Sequence, residues 1–130
     1  LSDENLFTIQ SHVIQKVAAE RSCVVIGRVA DYILRHHPHH INVFITASMS
    51  DRVQELMRRR GIDAKAARRI LEEADEERST YYNFYSLGTW GTADTYDLCI
   101  NSSILGADGT TDFIARFVEE RFGLNKPEGN

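Results

Sequence analysis

Cys23-Val24-Val25-Ile26-Gly27-Arg28 is the stretch on which the reading of the chain turns. An apolar run that stops at Gly-Arg predicts a buried strand delivering a cation to its carboxyl end, and in open α/β sheets ligands bind outside that end. Gly27 lets a phosphate or another backbone come close, while the Arg28 guanidinium offers a planar fork of donors that matches phosphate or carboxylate. An anion is the expected partner. The competing reading is that Arg28 simply leaves the sheet for solvent.

Working outward, Val29, Ile33 and Leu34 have helical spacing, which predicts a short helix over residues 29–35 whose first amides face the same anion as Arg28. Pro38 ends it. His36, His37, His39 and His40 crowd around that proline instead of standing at i and i+4, and no carboxylate completes a set, so a solvated loop is expected and no metal site. Ile41-Asn42-Val43-Phe44-Ile45 predicts a second strand, joined to the first by a right-handed crossover as a parallel pair. Upstream, Ser2-Asp3-Glu4-Asn5 caps a helix whose stripe is Leu6, Ile9, Val13, Ile14 and Val17, expected to pack on the sheet.

Further along, Ser48 or Ser50 caps a helix with Val53, Leu56 and Met57 toward the core, Arg52, Arg58, Arg59 and Arg60 elsewhere, and Gly61 as its stop. Asp63 caps a longer helix with the stripe Ala67, Ile70, Leu71 and Ala74. Arg68, Asp75 and Arg78 fall within another broad stripe of it, where Asp75 can pair with Arg78 across one turn, and Arg69 lies near Glu72 and Glu73. Taken singly, these are ordinary solvated ion pairs. Tyr81, Tyr82, Phe84, Tyr85 and Trp90 are expected mainly in the core, with base stacking open to one of them. Residues 96–101 predict a third strand. A last helix is expected from Asp108-Gly109, and residues 126–130 form a frayed tail.

At 130 residues, 42% hydrophobic and 26% charged, the chain fits a single globular domain. A net charge of −4 argues against a dedicated nucleic-acid binder. No apolar run approaches the roughly 20 residues of a membrane span, and no secretory signal opens the chain, so a cytoplasmic home is expected. Cys23 and Cys99 each sit inside an apolar run and are expected to pack as small hydrophobes.

In this order the pieces resemble the cytidylate-kinase-like proteins, relatives of the P-loop nucleoside monophosphate kinases. The resemblance rests on Val25-Ile26-Gly27-Arg28, on Phe44-Ile45-Thr46-Ala47 followed by Asp51-Arg52-Val53, on Asp75-Glu76-Glu77-Arg78 with Tyr81-Tyr82, and on Tyr96-Asp97-Leu98-Cys99-Ile100-Asn101. It implies a three-layer α/β/α fold with a parallel sheet in the order 2-3-1-4-5, in which the three strands read above are the third, fourth and fifth. It also implies transfer of the γ-phosphoryl group of ATP, with Mg2+, to a nucleoside monophosphate. Gly27 and Arg28 match the pair that holds the acceptor nucleotide, Asp75 a lid aspartate that helps fix it, and Arg78 the lid arginine that stabilises charge on the transferring phosphoryl group. The lid region covers about residues 61–92.

The chain departs from the family pattern in three places. Leu71 stands where a further lid arginine is usual, with Arg68 and Arg69 nearby as candidates for its catalytic role. Val29 replaces the aspartate after Gly-Arg, leaving Asp31 as the candidate substitute in acceptor binding. No Gly-x-x-x-x-Gly-Lys-[Ser/Thr] stretch is present to cradle the donor phosphates. The expectation is therefore the carboxyl-terminal part of a nucleotide kinase, with its first strands and P-loop outside this chain. The alternatives are a nucleotide- or anion-binding module without catalysis and a kinase of another small molecule on the same fold.

Overall fold

Only two segments pair as a sheet in the computed structural model, which describes residues 2–124. Strand β1 (Val43–Thr46) runs parallel to β2 (Leu98–Asn101), with Val43 opposite Leu98 and Thr46 opposite Asn101. Both are short and rich in β-branched or apolar residues, and their entry is pinned by one reciprocal link. The Asp97 amide donates to the Asn42 carbonyl at 2.8 Å, and the Asn42 amide donates to Asp97 Oδ2 at 2.7 Å. At the carboxyl ends the Ser102 hydroxyl donates to the Thr46 carbonyl at 2.9 Å, and Ser103 Oγ accepts from the Ser48 amide at 2.9 Å.

Residues 23–26 correct the expected three-strand reading. They are extended but unpaired, none of their amides donates a hydrogen bond, and Val24 and Ile26 are 88% and 84% exposed. Apolar composition favours an extended backbone, but a strand also needs a neighbour about 4.8 Å away. The expected sheet order puts one strand between this stretch and β1, and the described residues supply none there. The pairing of residues 23–26 with β1 across a crossover is thus absent, and the observed parallel pair is β1 with β2. Cys23, in the unpaired stretch, is exposed. So is Cys99, which points to the open face of β2 while Leu98 and Ile100 are half-covered. The expectation of buried thiols fails for both.

The helices follow their caps more closely. Helix α1 (Asp3–Glu20) starts where Ser2 Oγ accepts from the Asn5 amide. It lies against the four-residue helix α2 (Ala30–Ile33) and stacks Phe7 on Tyr85, with centroids 4.3 Å apart. No α1 residue is buried, so its expected packing on a sheet is replaced by these lateral contacts. Helix α3 (Met49–Arg60) is capped by Ser48 and closed by Gly61 at φ +63°. Helix α4 (Ala64–Tyr85) is capped by Asp63, whose Oδ1 accepts from the Ala66 amide at 2.8 Å, and it packs antiparallel on α3 after a connection of residues 61–63.

Helix α5 (Ser102–Phe122) begins six residues before the expected Asp108, capped by Asn101 and broken at Gly106, where φ is +74°. Asp108 and Gly109, the expected start, lie inside it. The predicted tail at residues 126–130 falls outside the described residues. The core gathers around the start of α2 and along α4, where Val29, Ala30, Ile33, Ala67 and Tyr82 are buried. Among the described residues no helix is long and apolar enough to cross a membrane.

Candidate functional site

The α3–α4 hairpin brings two charges onto its packed seam. Arg52 stands one turn before Leu56, and Asp75 one turn after Leu71, so each lies in line with the apolar stripe of its helix. Their side chains meet as a fork on a carboxylate, with Arg52 Nη1 donating to Asp75 Oδ2 at 2.8 Å and Nη2 to Oδ1 at 2.7 Å. Both are about three-quarters shielded from solvent. Arg78, on the next turn of α4 and 57% exposed, donates one N–H to Asp75 Oδ1 at 2.9 Å. Asp75 thus sits between two guanidiniums. The hydrogen bonds from Arg52 hold its carboxyl below the usual range against the opposing effect of burial, with the charges of Arg52 and Arg78 acting in the same direction as the hydrogen bonds.

The expected pairing of Asp75 with Arg78 is therefore present, and Arg52 is a partner that sequence reading did not single out. Arg68 and Arg69 point elsewhere. Arg68 donates to Glu72 at 3.0 Å, and Arg69 lies 3.9 Å from Glu73, both pairs well exposed.

A second group forms around the first turn after residues 23–26. Gly27, Arg28 and Val29 all take left-handed φ, from +59° to +64°, which only the glycine adopts without cost. This turn buries Val29 and leaves Arg28 exposed, with no hydrogen bond or ion pair. With only four residues, α2 is too short to carry the anion-binding amides expected of a full helix. Asp31 turns back into the molecule. Its Oδ2 accepts from the Tyr82 hydroxyl at 2.5 Å, and its Oδ1 from the Tyr32 amide at 2.8 Å. Burial, and then the hydrogen bond to Asp31, raise the Tyr82 hydroxyl well above its ordinary pKa, so Tyr82 stays a donor. Asp31 thereby ties the Arg28 turn to α4.

The remaining rings are mostly structural. Phe44 of β1 takes Trp90 edge-on at 5.3 Å and Tyr96 at 4.8 Å, while the Tyr96 hydroxyl accepts from the Gly91 amide. Phe84 is the exception to the expected core role, at 71% exposed. A groove of about 770 Å3 lies between the start of α1 and the second half of α4. Asp3, Glu4, Glu73, Glu76 and Glu77 line it, and five carboxylates repel a phosphate-bearing ligand, so its size does not mark the site. The histidines of residues 36–40 bond locally, His40 Nδ1 lying 2.6 Å from the His37 carbonyl. No group of three or more His, Cys, Asp or Glu among the described residues is arranged to hold a metal ion.

Comparison with known proteins gives a consistent picture. The profile of the cytidylate kinase-like family matches residues 1–104. A cytidylate kinase of Archaeoglobus fulgidus is 31% identical over 105 residues, which are 77% of this chain and 54% of that protein. The chain spans about half the length of that curated relative. The crystal structure of an uncharacterized protein from Eubacterium ventriosum superposes with a TM-score of 0.87 at 31% identity, covering 92% of this chain and 68% of that one.

Proposed function

The chain belongs to the cytidylate kinase-like family, and on that premise we propose that it forms the acceptor-side and lid half of a cytoplasmic phosphotransferase. The reaction is transfer of the γ-phosphoryl group of ATP to a nucleoside monophosphate, with a cytidylate-like acceptor. The observation that carries this reading is Arg78 standing on Asp75. One N–H is fixed by the carboxylate, and the exposed remainder of the guanidinium is available to phosphoryl oxygens. Phosphoryl transfer requires positioning and positive charge more than an acid or base, and a guanidinium held at one corner supplies both.

Arg28, exposed and unpaired on its left-handed turn beside Gly27, is the cation for the acceptor phosphate. Asp31 holds that turn against Tyr82, and Asp75 aligns the arginines around it. Arg68 and Arg69 supply additional positive charge on the lid helix and are secondary candidates, because each already faces a glutamate. ATP and Mg2+ are part of the proposed reaction, but the described residues do not fit them. No cluster among those residues suits the metal, and none of Lys16, Lys65 and Lys126 follows a glycine-rich run. No step is therefore assigned to a donor-site residue of this chain.

The test is phosphoryl transfer by the full-length protein that carries this chain, from Mg-ATP to CMP, dCMP and UMP, with Arg78→Lys and Arg78→Ala beside the wild type. Alanine is expected to lower turnover by roughly 10³-fold or more. Lysine should also impair it, because the charge remains but the fork is lost. Turnover of Arg78→Ala within a few-fold of wild type would return Arg78 to the class of solvated ion pairs. Nucleotide binding without transfer by the wild type would favour the binding module.

A further inference from the structure

We propose that Arg52 is a positioning residue for Arg78, acting through Asp75; the inference rests on the reading that Arg78 meets the transferring phosphoryl group. The geometry gives Arg52 a task that charge alone would not. Its two terminal nitrogens take one oxygen each of Asp75, at 2.7 and 2.8 Å, leaving Arg78 a single bond to an oxygen already shared. A carboxylate facing Arg78 alone could accept its whole fork in a two-bond pair, the stronger and more specific arrangement. It would then hold the donors that the phosphoryl oxygens need. By occupying both oxygens, Arg52 limits Asp75 to orienting Arg78 at one corner.

Charge points the same way. Asp75 with Arg78 alone is neutral, whereas Asp75 with Arg52 and Arg78 keeps one net positive charge beside the proposed position of the phosphoryl group. Solvent exposure is graded to match, with Arg52 and Asp75 shielded on the α3–α4 seam and Arg78 more than half exposed. Arg52 itself has both terminal nitrogens engaged by Asp75.

The experiment uses the full-length protein with Arg52→Met, Arg78→Met and the double variant, and Arg52→Lys in case the methionine weakens the fold. Arg52→Met is expected to lower kcat between about tenfold and a hundredfold, the range of a misplaced catalytic group, with KM for the acceptor changed less than about threefold. Arg52→Lys, which keeps the charge on a single nitrogen but loses the fork, should retain part of the rate. In the Arg78→Met background, Arg52→Met should cost less than about twofold more, because its action has no remaining target. Independent multiplicative losses, or a loss confined to KM, would overturn the inference.

A second readout needs no turnover. In 15N spectra, rotation about the Arg78 Cζ–Nη bonds should slow in Arg52→Met as Asp75 takes the whole fork. If the wild type transfers no phosphate but this slowing occurs, the phosphotransferase reading fails and the control of Arg78 by Arg52 stands. If transfer occurs and both the rate and the Arg78 resonances ignore Arg52→Met, the phosphotransferase reading stands and the positioning role fails.

Discussion

The α3–α4 hairpin and the sheet reach order by different routes. The hairpin is closed within residues 48–86. Ser48 and Asp63 cap its helices, Gly61 turns the chain between them, Ala67 is fully buried, and Arg52 and Asp75 join its seam. The sheet depends on distant partners. Its two strands are 55 residues apart in sequence at Val43 and Leu98, and residues 23–26 have the composition of a strand but no neighbour. Helices satisfy their backbone within the segment, whereas strands satisfy theirs only across segments.

The largest expected difference is in amide exchange. In this chain, amides of residues 23–26 should exchange near unprotected rates, while those in the middle of α4 should be slower by roughly a thousandfold or more. Equal protection of the two regions would end the contrast. In a longer protein that supplies a strand beside residues 23–26, protection there should rise toward that of α4.

Next in size is Asp75→Ala, which leaves Arg52 shielded without its partner and should cost roughly 1 to 3 kcal/mol in denaturant unfolding. The pH dependence has a definite sign. The carboxyl of Asp75 is lowered in the folded state, so its contribution is present above the ordinary carboxylate pKa of about 4 and is lost as pH falls through the lower folded value. Asp75→Asn should flatten that part of the acid limb, and an unchanged limb would show that the seam does not depend on this charge.

Tyr82→Phe removes the link to Asp31 and should cost about 1 to 2 kcal/mol. Because the Tyr82 hydroxyl is raised in the folded state, its contribution is present below the ordinary tyrosine pKa of about 10 and is lost as pH rises toward the higher folded value. The variant should weaken that alkaline loss. Asp63→Ala should cost about 1 kcal/mol through its lost cap, read as a lower melting temperature. Smallest is Arg69→Ala, expected within about 0.5 kcal/mol of wild type, since its pair with Glu73 is exposed and long. A larger loss there would mean that the hairpin depends on surface charge as well as on its seam.

Legibility in the sequence followed the same division. The caps at Ser2, Ser48 and Asp63, the stop at Gly61 and the stripe of Ala67, Ile70, Leu71 and Ala74 were readable because each depends on residues within a turn or two. The pairing of Arg78 with Asp75 was readable for the same reason. Arg52 escaped because its partner is 23 residues away on another helix, and the link of Asp31 to Tyr82 escaped because it spans 51 residues. One signal was present: Arg52 and Asp75 extend the apolar stripes of two helices joined by three residues, where opposite charges can face each other. At residues 23–26 composition reported the backbone's preference correctly but could not report a neighbour. Asp108-Gly109 suggested a start in a helix that had already begun at Ser102.

The short connection at residues 61–63 makes the hairpin a lever. Arg78 lies 14 residues into α4, or about 21 Å along it at 1.5 Å per residue. A rotation of about 10° about the connection would sweep Arg78 through roughly 4 Å, the difference between a solvent-separated and a direct contact with an anion. The fork between Arg52 and Asp75 resists any scissoring of α3 against α4, so such a rotation has to turn both helices together. The fulcrum then moves to the foot of α3, where the Ser48 amide hangs on Ser103 Oγ at the carboxyl edge of the sheet. Any such rotation is thereby delivered to the same edge of the sheet from which α5 departs.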